Sequence, residues 1–243
     1  MSYLSFLLIF VGGPAFILSL TAWWRFRTNN QTSLLIWHCL GTLILAVIAF
    51  TWTTPWDNYI VARGVWSYDA TRVIGTVGYV PLEEYLFFIL MPILNSAFFA
   101  LTFLKTDIYR ANFRTKQTLP RIFVSILALI VVIVATRLSS IDSFTYLATT
   151  LIWFTPPLWI QWVFDPTLLR KALLAVLTTT LVPAIYLSSA DALAIHQGIW
   201  TIHPKTRTGW EIGNLPFEEA FFFFITSLLL AQGLALWHSL RRP

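Results

Sequence analysis

Seven stretches of about twenty apolar residues decide what this chain can fold into. They run over about 2–24, 33–54, 79–104, 120–137, 144–164, 168–188 and 215–238. A helix needs ~20 mostly apolar residues to cross a bilayer, and a helix satisfies every backbone polar group within its own segment. The predicted fold class is therefore all-α integral membrane, with seven transmembrane helices. Only 11% of the residues are charged, against ~25% in soluble domains, which excludes a soluble core. The longest polar gap, roughly 189–214, is too short for a soluble domain. The first stretch starts at Met1 without a basic leader or a small-residue cleavage site, so it is expected to remain as a span.

The net charge of +5 does not point to nucleic acid, because the basic residues sit in short loops where they orient a membrane protein. With seven spans, eleven fall on the side of the C-terminus: Arg25, Arg27, Lys105, Arg110, Arg114, Lys116, Arg121, Arg170, Lys171, Arg241 and Arg242. The other side carries five: Arg63, Arg72, Arg137, Lys205 and Arg207. The expected placement is multi-pass in the cell (cytoplasmic) membrane, with the N-terminus outside and the C-terminus in the cytoplasm. Trp23, Trp24, Trp52 and Trp56 fall at predicted span ends, as an interfacial aromatic belt does. The single cysteine, Cys39, excludes an intrachain disulfide.

The chain also contains an internal repeat. One copy reads Asp57, Gly64 and Trp66, then Pro81, Glu83, Glu84, Phe87 and Phe88; the other reads Asp191, Gly198 and Trp200, then Pro216, Glu218, Glu219, Phe222 and Phe223. Upstream, Gly13-Pro14 matches Pro156-Pro157. The expected organisation is a first three-span repeat over 1–104, a linker with span 4 over 105–143, and a second three-span repeat over 144–243. An odd linking span makes the two repeats parallel, a known membrane architecture. Both Asp–Trp loops and both Pro-x-Glu-Glu helix starts then lie on one side of the membrane.

Of five glutamates, four belong to the two Pro-x-Glu-Glu motifs, and Glu211 stands apart. A carboxylate at the head of an apolar span is costly and marks a functional site. Proline at a first helical turn and glutamate against the N-terminal dipole also describe an ordinary helix start, and for one motif alone that reading is the stronger. Duplication with matching aromatics favours function. Residues four apart share a helix face, which sets Glu83 over Phe87, Glu84 over Phe88, Glu218 over Phe222 and Glu219 over Phe223. An acid creates a hydrocarbon cation, and ring faces stabilise it without trapping it as a nucleophile does. The candidate catalytic residues are Glu83, Glu84, Glu218 and Glu219. The candidate cation-stabilising residues are Phe87, Phe88, Phe222, Phe223, Trp66 and Trp200.

Asp57, Asp191 and Arg63 are supporting candidates. The aspartates read equally as helix-terminal polar groups, the tryptophans as membrane anchors, and Arg63, matched by Gln197, as a counter-ion outside the symmetric site. His38, His196, His203 and His238 neither repeat nor show metal-ligand spacing and read as loop or interface residues, so no metal is expected. Asn95 is expected to bond a neighbouring helix.

The doubled Asp, Gly-x-Trp and Pro-x-Glu-Glu-x-x-Phe-Phe unit resembles the membrane-embedded lycopene cyclase family, in its fused tandem form, over nearly the whole chain less span 4. The resemblance implies a substrate, lycopene and other linear carotenes met in membrane lipid. It implies a reaction too, the redox-neutral closure of linear end groups to β-rings through a carbocation, and Glu83, Glu84, Glu218 and Glu219 as the working carboxylates. It implies no cofactor, and no G-x-G-x-x-G nucleotide motif is found. Between the copies, the second lacks Pro55-Trp56 before its aspartate and has Ile202 where the first has Tyr68.

Three other functions fit parts of the pattern. A retinal protein requires a lysine in span 7, and 215–238 has none. A small proton-coupled transporter requires a polar path, and the spans offer little beyond Thr, Ser, Asn95 and Gln161. A carotenoid hydratase or another carotenoid-modifying enzyme makes a similar cation and adds water to it.

Overall fold

The computed structural model describes residues 1–103 and 118–241; Lys105, Arg110, Arg114, Lys116 and Arg242 lie outside the described residues. The helices are α1 (Tyr3–Thr28, with a π-turn at Leu8–Gly12), α2 (Thr32–Ala62), α3 (Leu82–Phe103), α4 (Thr118–Leu138), α5 (Thr145–Phe164), α6 (Pro166–Lys171), α7 (Leu173–His196) and α8 (Phe217–Ser239). Six of them, α1 to α4, α7 and α8, are long and apolar enough to cross a membrane. The stretch expected as the fifth span is helical as α5 but is not among the six. Four threonines, Gln161 and the Pro156-Pro157 pair leave it less apolar than the others.

Two helices outrun their apolar runs. α2 continues past the expected end at 54 to Ala62, and α7 past 188 to His196. Hydropathy stops at the first polar cluster, but here that cluster turns inward. Thr54 donates to the carbonyl of Phe50, and Asn58 donates to the carbonyl of Thr54 and to the Tyr85 hydroxyl. Trp56 is consequently not a belt residue: it is 1% exposed. Asp57 and Asp191 lie inside helices and are buried, not helix-terminal. Trp23 and Trp24 are exposed near the end of α1, as the belt requires.

α3 and α8 are the most enclosed spans, with 56% and 61% of their apolar stretch buried, against 6% for α4. α3 packs on α1 and α2, and α8 packs on α5 and α7. Across the centre α3 meets α8 and α7, α2 meets α8, and α4 leans on α5. The helices that carry the glutamate pairs are thus the axis of the bundle.

Short strands cap one end. β1 (Trp66–Tyr68) pairs antiparallel with β4 (Trp200–Ile202), Ser67 opposite Thr201. β2 (Thr76–Val77) pairs with β3 (Val80–Pro81), and β5 (Glu211–Ile212) with β6 (Leu215–Pro216). The hairpin turns place Gly78 and Gly213 at φ 66° and 68°, where a side chain is strained. Each hairpin delivers its proline to the start of a glutamate helix.

At the other end the structure corrects the histidine reading. His38 and His238 are buried, with Nδ1 of His38 3.0 Å from Nε2 of His238, and His38 Nε2 lies 2.9 Å from Ser96 Oγ. The group ties α2, α3 and α8 together. His203 is a loop residue, as read, and its Nδ1 accepts from the Lys205 amide. Asn95 donates to the carbonyl of Met91 in its own helix, not to a neighbour. Beside the histidines, Gly41 lets α2 approach α8: a Cβ there would sit 2.8 Å from Cγ of Trp237. Trp237 in turn stacks on Trp37 at 4.4 Å and donates to the Trp37 carbonyl. Gly41→Ala should destabilise the fold by about 1–3 kcal/mol through overpacking, measured by equilibrium unfolding in mixed micelles.

Candidate active site

Each Pro-x-Glu-Glu motif sits where a hairpin becomes a helix, with both glutamates in the first turn. Proline suits that place because no helical acceptor awaits its missing N–H. Consecutive side chains on a helix point about 100° apart, so the two acids of a pair face different surroundings.

The first acid of each pair braces a loop. Glu83 accepts the amide of Ile74 at 2.9 Å, and Glu218 accepts the amide of Thr208 at 2.6 Å. Both are 1% exposed. Their second oxygens, Oε2 in each case, have no hydrogen-bond partner among the described residues.

The second acid of each pair faces a shared cavity. Glu84 Oε1 accepts from the hydroxyls of Tyr3 at 2.6 Å and Tyr68 at 3.0 Å. Glu219 Oε1 accepts from the Trp66 indole at 2.6 Å and the Tyr146 hydroxyl at 3.0 Å. Their partners are neutral donors, not cations. Trp66 belongs to the first copy of the repeat and Glu219 to the second, so the β1–β4 pairing joins the copies at the site itself. Burial pushes the Tyr68 hydroxyl well above its usual range, and the Glu84 carboxylate adds to this. Tyr68 therefore stays protonated and remains a donor.

Tyr3 and Tyr146 are site residues that the repeat reading missed. Each stands eleven residues before the second member of the matched pairs Gly13-Pro14 and Pro156-Pro157. Extending the repeat back from those prolines finds both.

The cavity is small, about 50 Å³ in volume. Among its walls are Glu84, Glu219, Asp191, Trp66, Trp200, Phe87, Phe222 and Phe223, with Tyr3 and Phe6 from α1. Phe222 and Phe223 lie 5.4 Å apart, and Phe87 lies 6.2 Å from Phe223. Trp66 and Trp200 are therefore interior donors, the second bonded to Asp191 at 3.1 Å, and not membrane anchors. Phe88 lies outside this cavity and lines a neighbouring cleft.

The site is not symmetric. Asp191 lines the cavity, while Asp57 is fully buried without lining it, and neither of its oxygens has a hydrogen-bond partner among the described residues. Ala190, one residue before Asp191, also lines the cavity. The matching position in the first copy is Trp56, which stacks on Phe222 at 5.3 Å. Arg63 is exposed at the C-terminal cap of α2 and does not line the cavity.

The arrangement has definite chemical capacities. It offers buried carboxyl groups held by neutral donors, one from each copy, at a mostly apolar hollow. Ring faces surround it and attract positive charge. Among the described residues, no Lys, Cys, Ser or His side chain lines this cavity to act as a nucleophile.

Comparison with known proteins agrees with this chemistry. The family model described as lycopene cyclase matches residues 1–102 and 142–235. A protein from Halobacterium salinarum named lycopene beta-cyclase is 32% identical over 236 residues, 97% of this chain and 95% of that protein. A bifunctional lycopene cyclase/phytoene synthase from Aspergillus oryzae is 32% identical over 87% of this chain and 35% of its own length. Its counterpart in Phycomyces blakesleeanus is 34% identical over 77% of this chain and 32% of its own. No solved structure matches the chain.

Proposed function

The chain belongs to the lycopene cyclase family, and from that premise we propose that it is a lycopene β-cyclase whose acid–base pair is Glu84 and Glu219. The observation that carries the assignment is their meeting: the second glutamate of each copy lines one aromatic cavity. The substrate is lycopene, or another linear carotene, drawn from the surrounding lipid.

The reaction balances without an oxidant. One carboxyl group protonates the terminal double bond of the linear end group and becomes a carboxylate. The resulting tertiary cation is attacked by an internal alkene, which closes the ring and moves the charge onto it. A second carboxylate removes a proton from the ring, leaving the β-ring double bond. Proton transfer from the second acid back to the first restores the pair. Phe87, Phe222, Phe223, Trp66 and Trp200 face the cation, and their donors and π-faces contain no group basic enough to capture it. Glu83 and Glu218 hold the loops that shape the cavity, and Asp191 adds a third carboxyl group beside the pair. Running the same site on each end in turn gives γ-carotene and then β-carotene.

The architecture proposed for this work is seven spans, with α5 as the fifth, arranged as two parallel repeats over 1–104 and 144–243 with 105–143 as linker. Matched contacts support it. The Trp52 indole donates to the carbonyl of Trp153, and the Tyr186 hydroxyl, at the position matching Trp52, donates to the carbonyl of Phe10, which matches Trp153. The surplus of Lys and Arg beside the C-terminus supports a cytoplasmic placement of that end in the cell membrane.

Expression in cells that accumulate lycopene tests the function. The extracted pigment should contain monocyclic and bicyclic carotenes with β-rings. Unchanged lycopene in the presence of correctly inserted protein overturns the cyclase reading, and hydroxylated linear products replace it with a hydratase.

A further inference from the structure

The carboxylate cavity shares a wall with a larger hollow. Between α2 and α5, from Leu45 to Thr53 on one helix and from Phe154 to Gln161 on the other, the bundle opens a cleft of about 360 Å³. Phe87 and Phe222 line both hollows. Ile48 and Ile160 line the cleft and are 51% and 57% exposed, so in a bilayer its mouth meets acyl chains. Two polar side chains of the cleft donate to the backbone, while Oε1 of Gln161 has no hydrogen-bond partner among the described residues. Thr226 donates to the carbonyl of Phe222, and Gln161 donates to the carbonyl of Leu229. Towards the strands, reciprocal bonds between the Trp52 and Trp153 indoles and each other's carbonyls close it.

The shape suits one part of the substrate. From Glu219 at the cavity to Leu230 deep in the cleft, α8 advances eleven residues, about 16 Å at 1.5 Å per residue. A conjugated stem is stiff and wholly apolar. It requires a straight, dry slot that leads to the acids, and it must arrive from lipid.

Resting on the cyclase reading above, we propose that the α2–α5 cleft binds the polyene stem of the substrate, with the Phe87 and Phe222 rings as the threshold that the end group crosses to reach Glu84 and Glu219. The stem enters sideways from the membrane. Only one end group is at the acids at a time, so the second ring requires the molecule to leave and return reversed.

Ala49 lines the cleft, and Val47 on the same helix is 54% exposed and outside it. Ala49→Trp and Val47→Trp proteins in liposomes, supplied with lycopene or with a linear analogue whose stem ends at the threshold, separate the possibilities. Ala49→Trp should lower turnover of sub-saturating lycopene at least tenfold and leave the short analogue within twofold of the unmodified protein. Val47→Trp should leave both within twofold. Normal lycopene turnover in Ala49→Trp overturns the proposal, as does an equal loss on both substrates or an equal loss in Val47→Trp. Failure of the unmodified protein on both substrates overturns the cyclase reading and this proposal with it, whereas the Ala49 pattern bears on the cleft alone.

Discussion

Glu219→Gln protein should insert normally, accumulate to the unmodified level and leave lycopene uncyclised. The substitution keeps an oxygen that accepts from the Trp66 indole and the Tyr146 hydroxyl, now 2.6 and 3.0 Å from the carboxylate. What it removes is the exchangeable proton. General acid–base catalysis contributes ~10²–10⁴-fold, so cyclisation should fall at least about 100-fold, and Glu84→Gln should do the same. Glu83→Gln and Glu218→Gln keep an acceptor for the Ile74 and Thr208 amides and should cost about tenfold or less. The measurement is the ratio of cyclic to linear carotene per unit of inserted protein. The order matters more than any single value. Equal losses at all four positions mean that the pairs act as units, and full activity in the Glu84 and Glu219 variants returns those residues to the role of helix starts.

The difference within each pair was not visible in the sequence. Spacing and duplication marked all four glutamates, because cost in a bilayer depends only on their placement in an apolar run. Which acid faces the cavity depends on where α3 and α8 begin and how they turn against each other, and that is decided by the β-hairpins. The same limit applies to Asp57 and Asp191. Their apolar neighbours end at 54 and 188, so they read as helix-terminal, yet both helices continue: Thr54 and Asn58 bond inside the bundle and Asp191 accepts from the Trp200 indole, while Asp57 is buried with neither oxygen partnered among the described residues. The buried contact of His38 with His238 joins residues 200 positions apart, and no local pattern announces it. Tyr3 and Tyr146 are a different case. They were within reach of the repeat, because each lies eleven residues before the second member of the matched pairs Gly13-Pro14 and Pro156-Pro157. The aromatic character of the site, by contrast, was legible, because Phe-rich turns directly after an acid have one face in common with it.

Trp56→Ala should be the most destabilising single change at the site, and Ala190→Trp its functional opposite. Trp56 is 1% exposed and contacts four rings: it stacks on Phe222 and meets Phe154 at 5.1 Å, Trp66 at 5.7 Å and Tyr146 at 6.3 Å. Truncating a buried aromatic to alanine costs about 3–5 kcal/mol, because the surroundings relax only partly into the void. The void here lies among Phe222, Phe154, Trp66 and Tyr146, and should loosen Phe222 and Trp66, both of which line the cavity. Trp56→Ala should therefore lose stability in mixed-micelle unfolding first and activity as a consequence, with Trp56→Phe recovering most of both. Ala190 holds the matching place in the second copy and lines the cavity. A tryptophan there fills the room an end group needs. Ala190→Trp should abolish cyclisation while insertion is unchanged and unfolding shifts by less than in Trp56→Ala. Cyclisation that survives Ala190→Trp would mean that the end group is turned over somewhere other than beside Asp191, and the vacant side of the pair would have to be sought around Asp57 instead.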